Sequence, residues 1–154
     1  MTRIYLRAAG VLAAAGIAVA IVAAAPAPAG QTISFTERGI SDHSFNLGSG
    51  HGFAVGRVEL VATKLMQGSK QIGHDGESYT VTRLGNRSAD EMVSVSEVFA
   101  HGQIDLAGLV TSTPSGPGIF RLAVTGGTGS YQGARGYAIV TPGPAPHVTI
   151  HLAS

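Results

Sequence analysis

Several carboxylates of this sequence occupy positions that suit acid–base chemistry. Glu97 alternates with the apolar residues Val95 and Phe99. Asp75 is separated from Glu77 by a single residue. Residues two apart on a β-strand share one face, and burial among apolar neighbours raises the pKa of a carboxyl group. We therefore predict Asp75 and Glu97 as catalytic residues, with Glu77 dividing the acid and base roles with Asp75.

The orientation of the strands decides whether these carboxylates are buried. If Ser94, Ser96 and Val98 face inward instead, Glu97 is exposed to solvent. The paired carboxylates Asp75 and Glu77 are equally consistent with a solvent-exposed rim of the fold. By the same alternation, Tyr79 lies on the face of Asp75 and Glu77, and Phe99 lies on the face of Glu97, so both face inward if the carboxylates do. We predict that these two aromatic residues contact a bound ligand.

The histidines of the chain do not form a recognisable metal site. His147 and His151 are four residues apart, which on a strand separates them by about 13 Å. That is too far to share one metal ion, whose ligand bonds are about 2 Å long. His43 and His51 would meet only through folding of the segment between them. With no cysteine in the chain, disulfides and Cys-based zinc sites are excluded, and we predict neither a metal nor a cofactor.

The N-terminal segment has the pattern of an export signal. Arg3 and Arg7 precede an uncharged apolar run from Ala8 to Ala25, followed by Pro-Ala-Pro-Ala. This order of charge, apolar run and small residues is typical of a secretory signal peptide, and we place cleavage after Ala29. The alternative is an uncleaved membrane anchor, since the run is just long enough to span a bilayer. The expected locations are the cell envelope or the exterior.

Charge excludes one class of partner. The whole chain has 10 Lys+Arg and 9 Asp+Glu, and loss of Arg3 and Arg7 with the signal leaves 8 against 9, or −1. No run of basic residues remains, so we expect no nucleic-acid partner and no membrane association after cleavage. The remaining residues, 30–154, are predicted to form one domain, in which residues 30–54 supply a first strand and a long loop.

The rhythm of glycines and β-formers predicts an all-β domain. Gly and Pro turn signals separate short runs rich in Val, Ile, Thr, Leu, Phe and Tyr. The polar, glycine-rich stretch from Gly39 to Gly52 is interpreted as a long loop. Eight strands are predicted, at residues 31–37, 55–66, 70–84, 90–100, 102–112, 118–125, 134–141 and 146–152.

Apolar residues on both faces of a strand favour a closed antiparallel barrel. The fifth predicted strand has Ile104, Leu106 and Val110 on one side and Ala107 and Leu109 on the other. Two apolar faces fit an eight-stranded barrel with an apolar lumen, whose outside meets a loop or another subunit. Homo-oligomerisation is therefore left open, and a β-sandwich is the alternative fold.

The most distinctive segment joins two of the predicted strands. It contains Gly126-Gly127-Thr128-Gly129, then Tyr131, then Gly133-Ala134-Arg135-Gly136. A phosphate-binding loop requires a lysine and a following helix, whereas here a strand-like run follows. The segment resembles that of dirigent and allene oxide cyclase-like barrel proteins, in their small secreted bacterial form. The resemblance covers about residues 55–152, including the segments 55–57, 72–76 and 102–108.

This resemblance implies an eight-stranded antiparallel barrel with an elongated apolar cavity. Relatives in that group close rings or steer the coupling of reactive, hydrophobic molecules. It implies that Arg135 borders the cavity as a third catalytic candidate, holding an oxyanion or carboxylate; the alternative is a structural ion pair with Asp105 or Glu97. Asp105 and Tyr137, in matching segments, are further candidate ligand contacts. Some plant dirigent proteins have an acidic residue where Ser130 stands, which weakens the case for radical coupling.

We therefore expect an exported barrel that binds a hydrophobic small molecule and promotes its cyclisation or controls its stereochemistry. Two alternatives remain open. One is a carrier without turnover, and the other is an envelope protein whose lumen is packed shut. An ionisable cluster inside the cavity would favour catalysis over carrying. A cavity too small for any ligand would favour the structural role.

Overall fold

The computed structural model describes residues 30–47 and 54–153. The predicted signal peptide lies outside these residues. In the described segments no helix is long and apolar enough to cross a membrane. The strands are β1 (Thr32–Asn46), β2 (Arg57–Gln67), β3 (Lys70–Leu84), β4 (Ala89–Phe99), β5 (Gly102–Thr113), β6 (Gly116–Pro117), β7 (Phe120–Gly127), β8 (Gly136–Thr141) and β9 (His147–Leu152).

Eight of these strands close into an antiparallel barrel. The hydrogen-bonded order runs β4-β3-β2-β1-β9-β8-β7-β5, and β4 also pairs with β5. The two-residue β6 pairs only with the end of β5. A single 3-10 turn, Gly129–Tyr131, is the helical element among the described residues. The predicted fold class and strand count are confirmed, and closure leaves the central part of the sheet without a free edge.

Strict alternation of side chains builds the core inside the barrel. On β5, Ile104 and Leu106 are essentially inaccessible, whereas Leu109 on the other face is 62% exposed. Met92, the cross-strand partner of Leu109, is exposed to the same extent. The expectation of two buried faces is therefore wrong for the single chain. At these positions the inner face is covered and the outer apolar side chains lie at the surface of the chain.

The predicted long loop from Gly39 to Gly52 is partly strand. β1 continues to Asn46, and its second half pairs with β2, from Ser41 opposite Ala62 to Asn46 opposite Arg57. A register shift between Gly39 and Ser41 interrupts this pairing, and β1 is no longer paired with β9 beyond Thr36. Both faces of this half are exposed. The sequence therefore lacks the polar–apolar alternation that would have identified it as a strand.

The glycine-rich segment after β7 makes close backbone contacts at one end of the barrel. A Cβ at Gly127 would lie 2.5 Å from the carbonyl oxygen of Tyr131 and 2.6 Å from that of Gln103. The tyrosine packs against the core, with its ring 5.6 Å from that of Phe99. The segment is followed by the strand β8 and not by the helix that a phosphate-binding loop requires.

Candidate functional site

The structure brings the predicted carboxylates of β3 and β4 together inside the barrel. Asp75 on β3 lies directly opposite Glu97 on β4. Asp75 is 4% exposed, Glu77 is 8% exposed and Glu97 is 1% exposed. They are on the inner face because Val81 on β3 and Val95 on β4, an even number of residues away, are also buried. The inward orientation considered for these strands is the one observed.

A fourth carboxylate, which the sequence analysis missed, comes from β1. Glu37 is 9% exposed and follows the buried residues Ile33 and Phe35 in steps of two. This alternation was visible in the sequence and was the signal that could have identified it. Carboxylate oxygens of Glu37, Asp75 and Glu77 lie within 4.8 Å of one another. One positive charge placed between them could contact all three. We call Glu37, Asp75, Glu77 and Glu97 the lumen carboxylates.

Asp75 is fixed by the neighbouring strand. The backbone N–H of Thr63 donates to Oδ1 at 2.8 Å, and the hydroxyl of the same residue donates to Oδ2 at 2.7 Å. Thr63 on β2 lies opposite Asp75 in the register and is itself buried. Burial raises the pKa of Asp75, while the two hydrogen bonds from Thr63 and the charge of His74 oppose the rise. Of the lumen carboxylates, it is the one with both oxygens paired to protein donors.

Glu77 shares a hydrogen bond with Tyr79, whose hydroxyl donates to Oε2 of the glutamate. Burial raises the pKa of Glu77 to about 7, although the hydrogen bond from Tyr79 lowers it. The pKa of Tyr79 is raised, first by burial and then by Glu77. Burial, with the charges of Glu77 and Asp75, raises the pKa of Glu37 to about 8. Two carboxyl groups therefore titrate near neutral pH.

Glu97 is the most deeply buried member of the set. Burial, followed by the charges of Asp75, Glu37 and Glu77, raises its pKa to about 10. Its Oε2 atom has no hydrogen-bond partner in the described part of the protein. At neutral pH the group is therefore a neutral carboxylic acid, able to donate a proton or a hydrogen bond.

These side chains line a narrow cavity in the barrel lumen. The volume that the centre of a water molecule can occupy in this cavity is about 10 Å³. This is about the space that one water molecule needs. The polar lining is Glu37, Glu77, Tyr79 and Glu97, and the apolar lining is Val95, Leu106, Phe120, Leu122, Val140 and Val148. A wider, mostly apolar pocket of about 560 Å³ lies between the β3–β4 turn and the end of β5, where it includes the buried residues Ala89 and Ser112.

Two of the four predicted ligand contacts face inward. Tyr79 lines the cavity, and Phe99 is half-buried at the barrel end, with its ring 6.0 Å from that of Phe35. Asp105 lies on the outer face between two buried core residues and accepts hydrogen bonds from the side chains of Ser96 and Gln103. The fourth, Tyr137, is 40% exposed, and its ring stacks on the outside 4.8 Å from that of His151. The structure does not bring the last two to the lumen.

Arg135 is also outside the cluster. It is exposed in the segment before β8, where its carbonyl oxygen accepts a hydrogen bond from Ala153. Among the described residues its side chain forms no ion pair, so the alternative pair with Asp105 or Glu97 is not present. Arg135 is also not among the residues that line the lumen cavity. Among the described residues, which exclude His51, no histidine belongs to the cluster of potential metal ligands.

Solved structures with the same fold were found, although no family model matches the chain and no curated protein does. Pyocyanin demethylase aligns with a TM-score of 0.71 and 23% identity, over 80% of this chain and 100% of that protein. A pterocarpan synthase dirigent protein aligns at 0.60 and 16%, over 80% and 96%. A Diels-Alderase from Streptomyces koyangensis aligns at 0.60 and 16%, over 80% and 69%. The chain therefore has the barrel fold of dirigent proteins and barrel cyclases, as its resemblance to them in sequence implied.

Proposed function

We propose that this chain is an exported barrel enzyme that binds a small molecule in its lumen and moves protons on it during a cyclisation or isomerisation. The observation that supports this most directly is the set of four buried lumen carboxylates inside a closed barrel. A carrier of an apolar molecule has no need of buried ionisable groups, which are costly to bury. Such clusters in clefts are typical of catalytic sites.

The lumen carboxylates are suited to different steps. Glu77, with a pKa of about 7, exchanges its proton readily at neutral pH and suits a general base. Glu97, with a pKa of about 10, remains protonated and suits a hydrogen-bond donor to a carbonyl or an alkoxide. The apolar wall opposite them would hold one reactive conformer of the substrate. The proposed catalysis is thus proton transfer combined with shape selection.

The solved structures support a small-molecule role in general terms. Their names describe a demethylase of pyocyanin, a pterocarpan synthase and a Diels-Alderase. All three names refer to reactions of small organic molecules, and three different chemistries share one barrel. Because a shared fold does not fix the reaction, the proposal for this chain depends on its own lumen residues.

One observation favours a second candidate, an envelope protein with a packed lumen. The space between the lumen side chains has room for about one water molecule. A substrate must therefore displace flexible side chains, such as the glutamates, in order to reach the cluster. In this structural alternative no ligand enters the lumen, and the carboxyl groups share protons only with one another.

A general-base probe separates the two candidates. The full chain is expressed, and the purified protein is assayed with 5-nitro-1,2-benzisoxazole, whose ring opens when a base removes one proton and whose product absorbs visible light. We expect saturable turnover above the rate with acetate. Glu77→Gln and the lumen-filling Val140→Phe should each reduce it at least tenfold. Ile139→Phe, on the opposite face of β8, and Asp42→Asn, an exposed carboxylate, should retain it.

The contrary result is equally clear. If wild-type protein and Val140→Phe have the same rate, no base in the lumen is accessible, and the packed barrel is the correct description.

Export has its own test, because N-terminal sequencing of protein secreted by an expressing host should start at Gly30. A mature protein that retains Met1 in the membrane fraction would support the anchor instead.

A further inference from the structure

The ionisable groups that line the lumen cavity are all acidic. Three glutamates and a tyrosine contribute its polar lining, and no Lys, Arg or His is among its described lining residues. Asp75 adds a fourth carboxylate beside them. The basic side chain that acts on this group is His74, through its effect on Asp75. An anionic ligand would therefore be buried among acidic groups with no basic side chain in the cavity lining to pair with it, which is strongly unfavourable.

A separate observation indicates that a ligand is missing from this cluster. Glu97 is 1% exposed, lines the cavity with Glu37 and Glu77, and has an Oε2 atom without a hydrogen-bond partner among the described residues. Buried polar atoms are nearly always paired, and leaving one unpaired costs about 1–3 kcal/mol. A hydrogen-bond donor that enters the cavity would pair this atom.

We propose that the lumen selects a small organic cation, with a primary ammonium group seated among the lumen carboxylates, and rejects ligands that carry a carboxylate. This inference rests on the proposed function, in that a small molecule must enter the lumen. It names the substrate class, an amine or another nitrogen base that bears a positive charge when bound.

The geometry fits an ammonium head group. Oxygens of Glu37, Asp75 and Glu77 lie within 4.8 Å of one another, so one nitrogen between them reaches all three at normal hydrogen-bond distances. An ammonium group has three donors and no acceptor, which matches a set of acceptors that lacks a basic partner. The free space of about 10 Å³ corresponds to about one water molecule, which is similar in size to this head group.

The other wall of the cavity defines the rest of the ligand. Phe120, Leu122, Val140 and Val148 come from three strands opposite β3 and β4. They offer only apolar surface to a bound molecule. A ligand with a charged end and a slender apolar chain satisfies both walls, whereas a ligand that is polar throughout would leave its remaining groups unpaired.

A matched series of probes tests the charge preference. Hexylamine, hexanol and hexanoate have the same chain and differ in the charge of the head group at pH 7.5. Binding to the full-length protein is followed by chemical-shift changes in its amide NMR spectrum. We expect hexylamine to bind at least tenfold more tightly than hexanol, and hexanoate to show no saturable binding. Glu77→Gln should weaken hexylamine about tenfold, because it removes one of the three carboxylates around the ammonium group, and should leave hexanol unchanged, whereas Asp42→Asn should alter neither affinity.

Each other outcome overturns the inference in a recognisable way. If hexanol binds and hexanoate binds as tightly as hexylamine, the lumen takes ligands without charge selection, and the proposed function survives without this refinement. If none of the three binds, lumen binding itself fails, and the proposed function fails with it. If calcium ion binds to the cluster while hexylamine does not, the cluster is an inorganic cation site, and the organic substrate class is wrong.

Discussion

Thr63 donates two hydrogen bonds to Asp75, one to each carboxylate oxygen, from the directly opposite position on the neighbouring strand. The backbone N–H and the hydroxyl of one residue thus fix both oxygens in one orientation. Its two donors oppose the pKa rise that burial causes at Asp75. The other lumen carboxylates have one donor from the protein or none that is described. Asp75 is consequently the fixed member of the set.

Loss of the Thr63 hydroxyl should be costly. Thr63→Val keeps the shape but leaves Oδ2 of Asp75 buried without its donor, and we expect a loss of about 1–3 kcal/mol in the free energy of unfolding. Urea denaturation measures this loss. The matched control is Thr125→Val, because the Thr125 hydroxyl is exposed and donates to a backbone carbonyl. That variant should change stability by less than about 0.5 kcal/mol, and equal losses in both would show that the pairing of Asp75 is unimportant.

The barrel should be more stable in mild acid than in mild base. Glu77, Glu37 and Glu97 have pKa values of about 7, 8 and 10 in the folded protein, against about 4.5 in the unfolded chain. Between about pH 4.5 and pH 10 the folded state binds more protons than the unfolded state, so the free energy of unfolding falls as pH rises. The contribution is complete below about pH 4.5 and is lost progressively up to about pH 10.

Thermal unfolding between pH 5 and pH 9 measures this slope. The melting temperature should decrease steadily across the range in wild-type protein. The double variant Glu37→Gln/Glu77→Gln should make the decrease less steep, since it removes two of the three groups that cause it, while Glu97 continues to contribute. A melting temperature that rises toward pH 9 would contradict the burial of protonated carboxyl groups.

Glu97→Gln should leave the fold unaffected while lowering catalysis. The carboxyl group is protonated at neutral pH because its pKa is about 10, and a carboxamide is neutral and of similar shape. We expect the free energy of unfolding at pH 7 to change by less than about 0.5 kcal/mol. Turnover of 5-nitro-1,2-benzisoxazole by the proposed lumen site should fall, because the amide is not an acid. A loss of several kcal/mol on this substitution would indicate an ionised, paired Glu97 instead.

Two adjacent glycines after β7 should respond differently to alanine. A Cβ at Gly126 has nothing within 4 Å, whereas a Cβ at Gly127 meets two carbonyl oxygens at 2.5 and 2.6 Å. We expect Gly127→Ala to lower the free energy of unfolding by about 1–3 kcal/mol, as overpacking typically does. Gly126→Ala should be close to neutral. Chemical denaturation of both variants checks the contrast, which disappears if the segment rearranges freely.

Much of the fold was predictable from the sequence because glycines and β-formers alternate along it. The eight strands of the barrel and the turn after β7 follow from local patterns. Alternation placed Glu97 on one face with Val95 and Phe99 but left open whether that face is the buried one. The second half of β1 was not predictable, because residues exposed on both faces carry no periodicity. Its strand geometry depends on pairing with β2, which no local pattern reports.

The site was only partly predictable, for a similar reason. Asp75, Glu77 and Glu97 were identified from alternation within single strands. Glu37 comes from a strand distant in sequence, and its pattern was visible but was interpreted as the end of a strand rather than as part of a site. Asp105 and Tyr137 were assigned from matching segments, and both lie on the outer face. A segment match gives the strand but not the face to which each side chain projects.

The register shift in β1 divides one strand into two parts of unequal stability. From Thr32 to Thr36 the strand pairs with β9, Thr36 also pairs with β2, and the inner residues Ile33 and Phe35 are buried. Beyond Gly39 it pairs with β2 alone in the described chain, and its side chains are exposed. The outer part therefore gains little from apolar burial and can open while the barrel remains closed. Amide hydrogens from Ser41 to Phe45 should exchange with solvent through local opening, while those of Ile33 and Phe35 should wait for global unfolding.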